Sequence, residues 1–268
     1  MREIDRNIYR GFNADLRGLS DEELDQHFIV SQAEPRIFGP TNGDVEFLSM
    51  RWLRGAGMEI GAGKYPTPLY GNATSIYADC DEDLAFGGEK IDVDLSLDDL
   101  QYVDKLPHKF DFVIASHVLE HVDSFIRGVH NLVSSVKSGG IVYIVLPDKE
   151  FLSDKNFIPD FSFEHHELEF KNPMLFAQVH DQHFLTANQS EFDGENLHAE
   201  LSAEYRDQLR LGVISDKNRF LHHKHNYNFE SWVGIMLKTR AYLKNSFEIA
   251  DIRYGHLRKD CHFILKSF

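Results

Sequence analysis

The pattern of hydrophobic and polar positions changes character along the chain. Ser20 followed by Asp21, Glu22 and Glu23 is a capping box, in which hydroxyl and carboxylate satisfy free amides at a helix start, and it predicts a helix through about Val30. Pro35 and the Gly39-Pro40-Thr41-Asn42-Gly43 cluster break that helix. Val45, Phe47, Leu48, Trp52 and Leu53 then recur at the spacing of a second helix that packs on a sheet. From Gly57 the pattern becomes strand and helix in alternation. The runs Met58 to Ile60, Ser75 to Ala78, Ile91 to Val93, Phe112 to Ala115 and Ile141 to Leu146 are short, mainly apolar, rich in β-forming residues and bounded by Gly, Pro or Asp. Continuous apolarity of this kind suits parallel strands buried on both faces. Val118 to Val136 carries a stripe near the helical period and is expected to stop at Lys137-Ser138-Gly139-Gly140, where glycine can turn the chain left-handed.

The C-terminal end reads as a helix over Phe229 to Leu243 followed by strands at Phe247 to Tyr254 and Cys261 to Phe268. The polar turn between these strands is too short for a parallel return, so they must pair antiparallel. The fold class is therefore α/β: a doubly wound, mainly parallel, Rossmann-like sheet ending in an antiparallel hairpin, with a helical N-terminal lead-in and an insertion after the fifth strand. The expected organisation is a lead-in over 1–54, a core domain over 55–147 and 229–268, and an inserted substrate-binding or lid region over 148–228. The insertion lacks clean periodicity and carries eight of the 15 histidines. Long irregular segments in compact domains are commonly functional.

Composition narrows the classes. The 268 residues, 42% of them hydrophobic, can bury a substantial core. A formal net charge of −15 gives no general attraction to a phosphate backbone, so nucleic acid is not an expected partner. No apolar run approaches the length of a membrane span, and no signal-like segment follows the charged start, so a cytoplasmic location without membrane association is expected. Cys80 and Cys261 lie far apart with no CxxC spacing, which suggests neither a disulfide framework nor a thiolate metal site.

The chemistry concentrates around Met58 to Pro66, MEIGAGKYP. An acidic residue, Glu59, runs into Gly61-Ala62-Gly63, where missing side chains allow a tight turn and close approach of a ligand. Asp79 and Asp94 follow at the ends of the next two strands, and FDFVIASHVLEHV at Phe110 to Val122 carries Ser116, His117 and His121. This order fits a nucleotide-type cofactor lying across the carboxyl ends of parallel strands. A nicotinamide dehydrogenase fits poorly, because its third small glycine-loop residue is missing and Pro66 stands where a helix should open.

EIGAG, the acidic residue about twenty positions later, FDFVIASHVLEHV and the Gly139-Gly140 turn before a strand ending in Leu146-Pro147-Asp148 resemble the class I S-adenosylmethionine-dependent methyltransferases over roughly residues 55–150. RGAGMEIGAG, SHVLEH, LPDK and Glu164-His165 are similar to a bacterial group linked to polysaccharide or natural-product biosynthesis, although EFLSDKNF after Pro147-Asp148-Lys149 departs from it. The resemblance implies S-adenosylmethionine as cofactor, with S-adenosylhomocysteine as product. It assigns Glu59, Gly61, Ala62 and Gly63 to the methionine part, Asp79 to the ribose hydroxyls, Asp94 and the Leu95 amide to adenine, and Ser116 and His117 to the neighbourhood of the methionine. Methyl transfer is an in-line displacement in which orientation supplies much of the rate and an alcohol acceptor benefits from a general base. His121 is the first candidate base and His165 the second. Asp148, Glu164 and His225 are read as substrate-binding. The H-x-x-E-H string His117, Glu120, His121 is read without a metal. The expected activity is O-methylation of a small polar acceptor, a sugar or phosphorylated glycan or natural-product intermediate. N-methylation and non-catalytic cofactor binding are the alternatives. A second copy of the chain is the one macromolecular partner considered.

Overall fold

The computed structural model describes residues 18, 20–23, 43–63, 66–80, 91–152, 160–172, 180, 223–255 and 259–268. The capping box forms as expected: the Ser20 amide donates to Glu23 Oε2 at 2.8 Å, and the Glu23 amide to Ser20 Oγ at 3.3 Å. The body of that first helix, the turn cluster up to Asn42 and most of the inserted region, with His183, His198 and His222, lie outside the described residues.

Helix α1 (Gly43–Trp52) leads into strands β1 (Ala56–Ile60), β2 (Thr74–Asp79) and β3 (Val93–Asp94). Helix α2 (Tyr102–Lys105), strand β4 (Phe110–Ser116), helix α3 (Phe125–Ser135) and strand β5 (Val136–Pro147) follow. Helix α4 (Phe163–Lys171) lies in the inserted region, and α5 (Phe229–Tyr242), β6 (Phe247–Tyr254) and β7 (Asp260–Ser267) complete the chain. The seven strands form one sheet in the order β3-β2-β1-β4-β5-β7-β6. The first five pair in parallel, and β7 pairs antiparallel with both β5 and β6.

Alternation along the central strands divides the core into two layers. Met58, Ile60, Val113, Ala115, Val142 and Ile144 point to the side covered by α3 and α5, where Phe125, Leu132 and Trp232 are fully buried. Phe112, Ile114, Tyr143, Val145 and Ile264 point to the other side, under Leu48 of α1 and the adjacent Leu53. The Trp232 indole donates to the Pro147 carbonyl at 2.9 Å, which fastens α5 to the carboxyl end of β5. Between β1 and β2 no helix occurs among the described residues of 61–73. Pro66 and Pro68 remove amides that a helix would use.

Three expected boundaries move. The third strand is two residues, Val93 and Asp94, paired with Ala78 and Asp79. The helix expected from Val118 starts at Phe125, because His117 adopts φ +56°, Leu119–His121 forms a 3-10 turn, and Ser124 caps the helix. Its end at Ser135 precedes the glycines, because Val136 already pairs with Phe110 in the sheet. The inserted region is also less irregular than its pattern suggested, since it contains α4.

Candidate active site

The carboxyl ends of the parallel strands border an open cavity of about 330 Å³. Its walls come from the turns that follow the first four strands: Ile60, Gly61 and Gly63 at and after the end of β1, Asp79 and Cys80 at and after the end of β2, Leu95 to Asp98 after β3, and His117, Val118, His121 and Val122 after β4. The amide of Gly61 donates to the Ala78 carbonyl at 2.9 Å, so the glycine loop is fixed to the end of β2. Gly61 takes φ +66°, and a Cβ there would stand 2.7 Å from Val118 Cγ2. Gly63 takes φ +52° with nothing within 4 Å of the place a Cβ would occupy, which leaves bare backbone facing open space.

Asp79 ends β2 with its Oδ1 accepting from the Cys80 amide at 2.8 Å. Across the cavity Asp98 accepts from the amides of Asp123 and Ser124 at 2.9 and 3.1 Å. Burial, reinforced by the Asp123 carboxylate, pushes the Asp98 pKa up to about 6 against the opposing charge of Lys224. Lys224 is itself buried and pairs with Asp123 at 2.6 Å. His117 is the cationic member of the wall. Burial disfavours its charge, but Asp260 Oδ1 at 3.5 Å and Glu120 Oε1 at 3.4 Å together outweigh burial and raise its pKa to about 10. His121 stands beside His223, with ring centroids 4.7 Å apart. The main-chain carbonyl of Glu120 accepts from the amides of Lys224 and His225 at 2.7 and 3.1 Å, joining the 3-10 turn to the segment before α5.

The structure therefore brings Gly61, Gly63, Asp79, Leu95, His117 and His121 to one cavity. It places other expected residues elsewhere. Glu59 lies on the opposite side of β1 from Ile60, outside the cavity wall, where its buried carboxylate accepts the Thr67 amide at 3.0 Å and the Thr67 hydroxyl at 2.7 Å. It latches the glycine loop instead of lining the cavity. Ala62 and Ser116 are partly buried neighbours of wall residues. Asp94 points outward at the sheet edge, and the Leu95 amide already donates to the Asp79 carbonyl at 2.9 Å, so the Leu95 side chain forms the wall. Asp148 is buried and caps the turn after β5 through the Glu150 amide at 2.9 Å. Glu164 is exposed in the first turn of α4. His165 and His225 meet Glu169 at 2.7 and 2.8 Å, outside the residues that line the cavity. Sequence reasoning passed over Ser96, Leu97 and Asp98; the acidic pair Asp98-Asp99 soon after Asp94 was the available signal.

The wall chemistry fits S-adenosylmethionine. Ionised Asp79 offers acceptor oxygens suited to ribose hydroxyls. Ile60, Leu95, Leu97 and Val122 would give an apolar surface for the purine, and the open backbone at Gly63 would leave room for the amino-acid end. Two carboxylates in the wall outnumber its one cationic imidazole, His117, which favours a cationic ligand over an anionic one.

No curated protein matches the chain significantly. Among solved structures, it is similar to a protein from Thermotoga maritima described as an S-adenosylmethionine-dependent methyltransferase and possible histamine N-methyltransferase, at 13% identity over 92% of this chain and 96% of that one, with a TM-score of 0.42. It is also similar to a candidate zinc-dependent alcohol dehydrogenase from Rhodobacter sphaeroides, at 11% identity over 85% and 88% and a TM-score of 0.45. The CurJ carbon methyltransferase gives 12% identity over 84% of this chain and a TM-score of 0.40, and the present chain spans about half of it, 52%. A dinucleotide dehydrogenase sheet continues in parallel to a sixth strand, whereas here β7 returns antiparallel between β5 and β6. The family model described as "Methyltransferase domain" matches residues 38–203, which takes in the whole cavity wall, and the chain accordingly belongs to the methyltransferase-domain family and is an S-adenosylmethionine-dependent methyltransferase.

Proposed function

We propose that the protein transfers the methyl group to an oxygen of a small, neutral, hydroxyl-bearing acceptor, with a sugar as the favoured class and His121 as the base that takes the hydroxyl proton. The observation that carries this reading is the place of His121: it shares the cavity wall with Gly61, Gly63 and Asp79, and its own turn is held by the Lys224 and His225 amides. A sulfonium is already a good leaving group, so the protein's work is alignment of the acceptor and removal of its proton. His165, the second candidate, is engaged with Glu169 away from the cavity wall. Asp79 and Asp98 outnumber the one cationic imidazole of the wall, His117, which favours a neutral hydroxyl over the phosphorylated acceptor considered from the sequence. In this reading the region 148–228, from which α4 and Lys224 are described, completes the acceptor side, and its product belongs to glycan or natural-product assembly.

Labelled S-adenosylmethionine with a panel of sugars and phosphosugars, followed by NMR of the product, tests the acceptor class. His121→Ala should lower turnover by about 10²–10⁴-fold with cofactor affinity retained, and should remove the limb of the pH–rate profile that reports the base. Near-normal turnover in the variant, or a methyl group found on nitrogen or carbon, would overturn the reading.

A further inference from the structure

Beside Asp123, and outside the residues that line the cavity, stands a second constellation. His165 and Glu169 stand one turn apart on α4; His180, 11 residues beyond Glu169, and His225, 56 residues beyond it, approach them. The Nε2 atoms of all three histidines converge on one oxygen, Glu169 Oε1, at 2.7 Å from His165, 3.1 Å from His180 and 2.8 Å from His225. His165 Nε2 and His180 Nε2 are also 3.2 Å from each other. A single carboxylate oxygen accepting three N–H groups, two of them in mutual contact, is a crowded hydrogen-bond arrangement. Four of the six separations among these atoms lie between 2.7 and 3.2 Å and all lie within 4.8 Å, a spread that a small adjustment brings to the edges of a coordination tetrahedron, about 3.3 Å for metal–nitrogen distances of about 2.0–2.1 Å.

We infer that His165, Glu169, His180 and His225 bind a divalent transition metal of the zinc type in a closed, four-ligand site. Imidazole nitrogens with one carboxylate form a borderline donor set that suits such ions and is too nitrogen-rich for magnesium or calcium. The surroundings orient the ligands as a built site requires. Glu169 Oε2 meets His166 Nδ1 at 2.9 Å, and His166 Nε2 in turn meets the Tyr227 hydroxyl at 2.8 Å, which fixes the carboxylate. Phe161 stacks on the His165 ring at 3.8 Å and 5°. Glu169, His180 and His225 are buried, and His165 is nearly so. Four protein donors and this burial leave no open position for substrate, the form of a structural site. Its effect is to clasp α4 and His180 to the segment whose amides hold the Glu120 carbonyl, and hence to steady the turn that presents His121.

The full chain without a histidine tag provides the test. Elemental analysis should find about one zinc per chain, and protein stripped with a chelator should take up one equivalent of Co²⁺ with the intense visible absorption of tetrahedral coordination. Zinc should raise the Tm of stripped wild type. Glu169→Gln and His225→Gln should each weaken metal binding by about 100-fold or more. His223→Gln should leave it unchanged, because His223 belongs to the separate group with Glu120 and His121. Folded wild type that takes up neither ion, or full metal retention by a Glu169→Gln/His225→Gln double variant, would overturn the inference. Loss of the metal in His223→Gln alone would also overturn it, by placing the ion in the other group. Should the ligand variants not fold, the Co²⁺ spectrum and stoichiometry of wild type decide.

Discussion

Replacing Glu59 by Gln tests the loop latch and its electrostatics together. Glu59 is 1% exposed. Burial raises its pKa from the usual 4.5 to about 7, against the downward pull of the Thr67 hydroxyl and amide. An acid that holds its proton more tightly in the folded chain contributes stability fully below its unfolded pKa and loses that contribution as pH rises through its folded pKa, here between 4.5 and about 7. The gap is about 2.5 pH units, which at about 1.36 kcal/mol each amounts to about 3 kcal/mol of stability missing at pH 8. Glutamine removes the charge and keeps a carbonyl oxygen able to accept both Thr67 donors. Urea unfolding of the cofactor-free wild type and the variant, followed from pH 4.5 to 8, should show the variant gaining on wild type by up to about 3 kcal/mol, spread evenly between pH 4.5 and 7 and flat above. Taking the difference removes other titrating groups such as Asp98. A difference independent of pH, or a variant that loses ground at high pH, would show that a positive partner holds the carboxylate ionised and would refute the latch reasoning.

Further outcomes follow from the cavity wall. Asp79→Ala should weaken S-adenosylhomocysteine binding by about 1.5–3 kcal/mol in calorimetry, the range for hydrogen bonds to a charged group, and unchanged affinity in a folded variant would remove Asp79 from the ribose role. The His117 imidazole should stay protonated through pH 8 in NMR titration, since its pKa is raised from 6.5 to about 10. Asp260→Asn should bring that pKa down. His117 contributes stability below pH 6.5 that fades as pH rises through about 10, so the penalty of Asp260→Asn should shrink over the same window.

What the chain announces locally and what it assembles at a distance differ in kind. Strand runs, the antiparallel finish at β6 and β7 and the positions of Gly61, Asp79, His117 and His121 were legible, because each follows from short-range pattern: brief apolar, β-rich runs, a turn too short for a crossover, and residues just past strand ends. Once the strands are parallel, those ends lie together on one edge of the sheet. The helix start was misread because apolar spacing continues through Leu119 and Val122, whereas the cap at Ser124 and the Asp98 carboxylate binding the Asp123 and Ser124 amides decide where the helix begins. The side of β1 taken by Glu59 depended on which layer Ile60 joined, and only the packed sheet fixes that. Asp98 reached the cavity through a turn with no sequence period. The convergence of residues 165, 169, 180 and 225 arose because α4 docks against the segment before α5, a packing relation between stretches about fifty residues apart. Local propensity acts over a few residues along the backbone, whereas such clusters depend on burial and approach angles that exist only when the whole chain is compact.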